Sequence, residues 1–237
     1  VATLTLVRHG QASFLSDDYD RLSPLGADQM RALGRLWASR ERSIDRLVTG
    51  PLKRQRGSLA ALREGLGEHA RDPAEDHVEA GLIEYDALSV VARAIPQLAG
   101  RDPEIARLAM AATRGAGDPG KAREALFRLI TRRWIRGEIA IAEAEPFADF
   151  RARVSATLAR LRADASPGQG VVAVTSAGVV AAALGHALEL GDEQVLELSF
   201  IVRNASVTEL LVRGDALILL TFNAIPHLAD PAMVTFR

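Results

Sequence analysis

The sequence predicts an α/β fold in three layers, with a mainly parallel sheet, helices on both faces and a helical cap insertion at about residues 85–146. Three observations carry this. Short β-rich apolar runs alternate with longer segments of helical period, the pattern of strand–helix–strand crossovers. Residues 170–174 are almost continuous valine, as in a strand buried on both faces. Near the end, two β-rich runs flank Arg213-Gly214-Asp215, a plausible hairpin turn, so an antiparallel strand should join the sheet.

Taken in order, residues 3–7 are β-rich and stop at Gly10. Ser23 followed by Pro24 reads as an N-cap with proline in the first helical position, and Met30, Leu33, Leu36 and Trp37 recur behind it at helical spacing. Residues 44–48 form a short second strand, broken by Thr49-Gly50-Pro51. From Lys53 to Leu66 the helical period returns, with Leu59, Leu62 and Leu66 on one side. Leu82-Ile83 reads equally as strand or loop. Between Tyr85 and Pro146 the chain is helix-like, with a turn from Gly115 to Gly120 and no clear strand; it is too short to bury much core alone. We therefore expect one domain over residues 1–237 with this stretch inserted. Residues 147–161 are an amphipathic helix with Phe150, Val154, Leu158 and Leu161 inward. An apolar helix follows the valine strand over residues 178–188, and the hairpin strands cover residues 206–212 and 216–222.

The totals exclude several function classes. The chain has 237 residues, net charge −1 and 48% hydrophobic residues, so nothing in them favours nucleic acid or an anionic membrane. No apolar run reaches the length of a membrane span. Without cysteine there is neither a disulfide framework nor a thiolate nucleophile. No secretory signal is read in these residues, and the cytoplasm is the default compartment.

Ligands in such sheets collect at the carboxyl ends of the strands. Three strand ends carry distinctive residues: Arg8-His9-Gly10, the segment 49–54, and Thr175-Ser176-Ala177-Gly178. Two arginines there, Arg8 and Arg54, suit a phosphate, because guanidinium forks pair with its oxygens. A neutral imidazole at His9 can attack phosphorus, and Gly10 would let the backbone approach the bound group. The plainer alternatives are a structural histidine at a strand end and, for Arg54 beside Lys53 and Arg56, a solvated basic face. Gln11 and Ser13 line the phosphate pocket or are simply polar loop residues. Gly115 to Lys121 lacks the preceding strand and the following hydroxyl of a phosphate loop. His69, His77 and His186 lack ligand spacing, so neither metal nor cofactor is expected.

In this order the motifs resemble those of the histidine phosphatase superfamily, also called phosphoglycerate mutase-like. LVRHGQAS at residues 6–13 is similar to its nucleophile motif, YDRLSPLGADQMRALG at 19–34 to the helix after it, and TGPLKRQRGSL at 49–59 to the segment with a second phosphate arginine. GLIEYD at 81–86 is similar to the segment with the proton donor. FADFRARVSATL and the ending NASVTELLV…FNAIPHL also resemble family segments. The resemblance implies catalytic His9 and Glu84, and phosphate contacts from Arg8, Arg54 and Ser176; on the residues alone Glu84 is equally a surface carboxylate with Asp86 as a rival acid, and Ser176 a simple turn serine. One position departs. Where the family usually has a second pocket histidine this chain has Ser176, a neutral side chain with a single donor. His227, in the stretch that resembles the family's C-terminal ending, either compensates or has the structural role more usual there. The expected activity is phosphomonoester hydrolysis through a phosphohistidine, slowed by Ser176, on a phosphorylated small molecule. The alternative is a binding or regulatory protein that holds a phosphate anion. A mutase comes third, because Leu15 stands where the mutases usually have asparagine.

Overall fold

A computed structural model describes residues 2–12, 20–69, 77–114, 118–142 and 144–236. The chain divides into two compact units, Val1–Glu84 with Arg153–Arg237, and Tyr85–Ala152.

The first unit is built on a six-stranded sheet: β1 (Ala2–Arg8), β2 (Arg46–Thr49), β3 (His77–Val78), β4 (Gly170–Thr175), β5 (Val207–Arg213) and β6 (Ala216–Ala224), in the order β3-β2-β4-β1-β5-β6. The first four are parallel, β5 runs antiparallel to β1, and β6 antiparallel to β5. The valine strand β4 has a partner on each side. Its two faces are both covered, so Val171 to Val174 are buried without alternation. Helix α1 (Pro24–Ser39) begins where Ser23 Oγ accepts from Gly26 N, 3.0 Å away. It packs with α2 (Lys53–Leu66) on the sheet face carrying Val7, Leu47, Val172, Val174 and Val207, and Met30, Leu33, Trp37, Leu59, Leu62 and Leu66 close that core. The opposite row, with Leu4, Leu6, Val171, Ala173 and Leu210, is equally buried, and α7 (Ala177–Ala187) packs against β1 and β6.

Two elements escape the sequence patterns. Strand β3 is two residues long and exposed, so it carries no hydrophobic signal and exists through its pairing with β2. Helix α8 (Asp192–Ile201) buries Val195, Leu196 and Ser199, and a buried serine interrupts its apolar stripe. Leu82 ends a short 3-10 turn rather than a strand.

In the second unit α3 (Ala87–Leu98), α4 (Pro103–Arg114) and α5 (Pro119–Ile135) precede α6 (Phe147–Ala163), which continues into the first unit. Each of the first three begins at an aspartate: Asp86 accepts from Ser89 N, Asp102 from Glu104 N and Ile105 N, and Asp118 from Gly120 N and Lys121 N. Such carboxylates satisfy N–H groups that have no partner inside the helix. Tyr85, Trp134, Phe147 and Phe150 form one aromatic cluster, with centroids 5.1–5.8 Å apart. Of the glycine-rich turn, residues 115–117 lie outside the described residues. Among the described residues no helix is long and apolar enough to cross a membrane.

Candidate active site

Parallel register brings the strand ends level. Arg8 stands opposite Thr175 and Thr49 opposite Val174, and the ladder runs one residue further on each side of β4. His9 N donates to Thr175 O at 2.8 Å, and Gly50 N to Val174 O at 3.1 Å. His9, Gly50 and Ser176 therefore leave three neighbouring strands side by side.

His9 is 5% exposed. Its Nδ1 lies 2.7 Å from Gly10 O, and a carbonyl only accepts, so this nitrogen carries the hydrogen. In the neutral ring Nε2 then holds the lone pair and accepts from Arg54 Nε at 3.2 Å. Burial first, then the charges of Arg8 and Arg54, hold the His9 pKa well below the ordinary 6.5, against the opposing bond to Gly10. At neutral pH the ring is an uncharged base with a defined tautomer. The loop is held from behind by Ala205 N and Asn204 Nδ2, which donate to His9 O, and by Gly10 N, which donates to Ser58 Oγ.

Arg54, 9% exposed, is gripped on its other side by Asp20, whose Oδ1 accepts from Nη1 at 2.8 Å. The same carboxylate accepts from Lys53 N at 2.9 Å, at the start of α2, where the flanking Leu52 offers no side-chain oxygen. Asp20 thus caps a helix and orients its arginine together. Sequence reasoning passed over it, because one aspartate among Asp17, Asp18 and Asp20 carries no local mark. Arg8 is buried, and its Nη1 donates to Val202 O.

Ser176 is 1% exposed and precedes α7 without capping it by side chain; its Oγ accepts from Gln55 Nε2 at 2.9 Å. Glu84 Oε2 accepts from Gly178 N at 2.8 Å, in the first turn of the same helix. The structure thus joins His9 to Arg54 directly, sets Ser176 on the next strand end, and ties Glu84 two residues beyond Ser176. Asp86, the rival acid, is the cap of α3.

Two other readings meet a definite neighbour, and a third meets no hydrogen-bond partner among the described residues. A Cβ on Gly10 would stand 2.2 Å from Gly26 O, so the room it leaves is taken by α1 rather than by a ligand. Gln11 Oε1 accepts from Ser23 Oγ, which ties Gln11 to the α1 cap. Neither ring nitrogen of His227 has a hydrogen-bond partner among the described residues, and burial lowers its pKa to about 4. Ser13 and Leu15 lie outside the described residues. Among the described residues no group of three or more His, Cys, Asp or Glu is arranged to hold a metal.

A family model, histidine phosphatase superfamily (branch 1), matches residues 4–132 and 117–225. Among solved structures, a phosphoserine phosphatase mutant from Entamoeba histolytica in complex with phosphoserine aligns with a TM-score of 0.63 at 16% identity, covering 96% of this chain and 100% of that one. The alpha-ribazole phosphatase from Shigella flexneri gives 0.63 at 17%, covering 94% and 96%. A mycobacterial glucosyl-3-phosphoglycerate phosphatase complexed with VO3 gives 0.61 at 23%, covering 94% and 100%. At these identities the likeness is one of fold. No match was found among curated proteins.

Proposed function

The chain belongs to the histidine phosphatase superfamily, and from that premise we propose that it hydrolyses the phosphate monoester of a small molecule through a phosphohistidine at His9. The observation that carries the reading is the state of His9: buried, neutral, with its hydrogen committed to Gly10 O and its Nε2 lone pair presented beside Arg54. That nitrogen forms a bond to phosphorus as the ester P–O bond breaks. Arg54, steadied by Asp20, turns its fork from His9 to the phosphoryl oxygens, and Arg8 adds a second positive charge. Glu84 gives its proton to the leaving oxygen, so an alcohol departs. The carboxylate then takes a proton from water as that oxygen attacks phosphorus. The N–P bond breaks, its electron pair returns to Nε2, and inorganic phosphate leaves.

The names of the fold relatives, which carry phosphoserine, alpha-ribazole and glucosyl-3-phosphoglycerate, support a substrate class without establishing it for this chain. A small phosphorylated metabolite is the corresponding expectation. Ser176 favours one second reading. Its neutral hydroxyl gives the transferring group less help than a cation would, which suits a protein that binds a phosphoryl ligand without turnover.

The test is turnover of p-nitrophenyl phosphate by wild type and His9→Ala, with a rapid quench under alkali to retain phosphohistidine. Slow turnover abolished by the substitution supports hydrolysis through His9. Turnover that survives His9→Ala overturns it. Vanadate binding without turnover supports the second reading.

A further inference from the structure

Gln55, one residue after Arg54 on α2, is fully buried, and both polar atoms of its amide have partners. Oε1 accepts from Leu52 N at 3.1 Å; Nε2 donates to Leu82 O at 3.0 Å and to Ser176 Oγ at 2.9 Å. Two of these partners are main-chain groups of fixed character. Turning the amide over would set its NH2 against the Leu52 N–H and its oxygen against the Leu82 carbonyl, so the orientation is dictated. Gly50 closes the remaining side: a Cβ there would stand 2.1 Å from Gln55 Oε1.

This has a consequence for Ser176. Facing an N–H, its Oγ must accept, and its own hydrogen is turned elsewhere. Among the described residues no acceptor takes that hydrogen. The neighbouring hydroxyl is already used, since Thr175 Oγ1 donates to Leu82 O at 3.0 Å. A hydroxyl that is 1% exposed thus holds an unspent donor at the strand end next to His9. Buried donors are costly to leave unmade, and an oxygen-rich anion is the ligand that completes one.

We propose that Gln55 is a positioning residue that compels the Ser176 hydroxyl to donate, and that the acceptor is a phosphoryl oxygen of the substrate. The proposal rests on the phosphatase reading above and adds to it the element that makes a serine serviceable at this place. Gln55 itself touches no substrate.

The experiment is a double-mutant cycle of Gln55→Met and Ser176→Ala, read as orthovanadate affinity by calorimetry and as kcat and KM on p-nitrophenyl phosphate, with folding checked by thermal melts. Each single variant should weaken vanadate binding by roughly ten- to a hundredfold, the range for a hydrogen bond to a charged group. The double variant should be no weaker than the poorer single one, and the catalytic loss should fall on kcat more than KM. Additive losses, or a Ser176→Ala protein with unchanged vanadate affinity, would overturn the proposal. A cycle that is non-additive for vanadate in a protein without turnover would uphold the pair and remove the phosphatase reading instead. Should Gln55→Met not fold, crystals of the wild-type vanadate complex decide. Ser176 Oγ within about 3 Å of a vanadate oxygen, with the Gln55 bond intact, supports the assignment; an Oγ out of reach refutes it.

Discussion

The Nδ1–H of His9 is committed to Gly10, so a proton added to the ring must go to Nε2, where Arg54 already donates and Arg8 adds a further positive charge. A nitrogen-resolved NMR titration should therefore find His9 neutral through pH 6.5 and well below it; a ring that charges near 6.5 would contradict the geometry. His227 is lowered for a simpler reason, burial alone, to about 4. Its linkage has a definite sign. The unfolded chain takes up a proton at this residue near 6.5 while the fold resists until about 4, so the stability it permits is whole above 6.5 and lost as pH falls between the two values. The shift corresponds to an upper value of about 3 kcal/mol. Since neither ring nitrogen has a hydrogen-bond partner among the described residues, His227→Leu should cost little at pH 7 and flatten the acid loss in urea titrations at pH 7, 5.5 and 4.5.

Helix ends in this protein serve the site as much as the helices do. Asp20 caps α2 from more than thirty residues away and grips Arg54 with the same carboxylate. Asp20→Ala should lower stability by about 1 kcal/mol, the cost of a lost cap. It should also weaken orthovanadate binding, because Arg54 loses its brace. Asp20→Asn keeps an acceptor for Lys53 N, so its stability should stay nearer wild type while vanadate binding still falls. Calorimetry beside denaturant titration separates the two effects; an Asp20→Ala protein that binds vanadate normally would free Arg54 of any dependence on Asp20. By contrast Ser23 caps α1 locally, three residues from its partner Gly26. That is why this helix start was legible from sequence and the Asp20 cap of α2 was not.

Across the first unit, the segment near the C-terminus is stitched to the loop at His9. Gln29 Nε2 donates to Met233 O and to Thr235 Oγ1, and Thr235 Oγ1 donates to Asn204 Oδ1. Asn204 Nδ2 reaches His9 O, and Gln11 N returns to Gln29 Oε1. Gln29 and Asn204 are fully buried, so an unmade bond here bears its whole desolvation cost. Thr235→Val keeps the shape and deletes the hydroxyl. It should destabilise by roughly 1–3 kcal/mol in urea titration, whereas a loss within a few tenths would mean that water replaces the bond.

Hydrophobic period and turn chemistry act over a few residues, and what depends on them can be read along the chain. The parallel strands β1, β2 and β4, the N-cap of α1, the valine run of β4, the hairpin and the strand-end motif of Arg8 and His9 are of this kind. The ordered motifs extended that reading to Arg54, Glu84 and Ser176 as candidates. Pairings between distant segments have no such trace. The tautomer of His9 depends on where Gly10 O and Arg54 Nε come to lie. Gly10 is needed because α1 crosses it, and β3 exists only against β2. The donor sense of the Ser176 hydroxyl is set by Gln55, 121 residues away in the chain. Hydrogen-bond direction is a property of two groups brought face to face, and only the folded sheet brings these together.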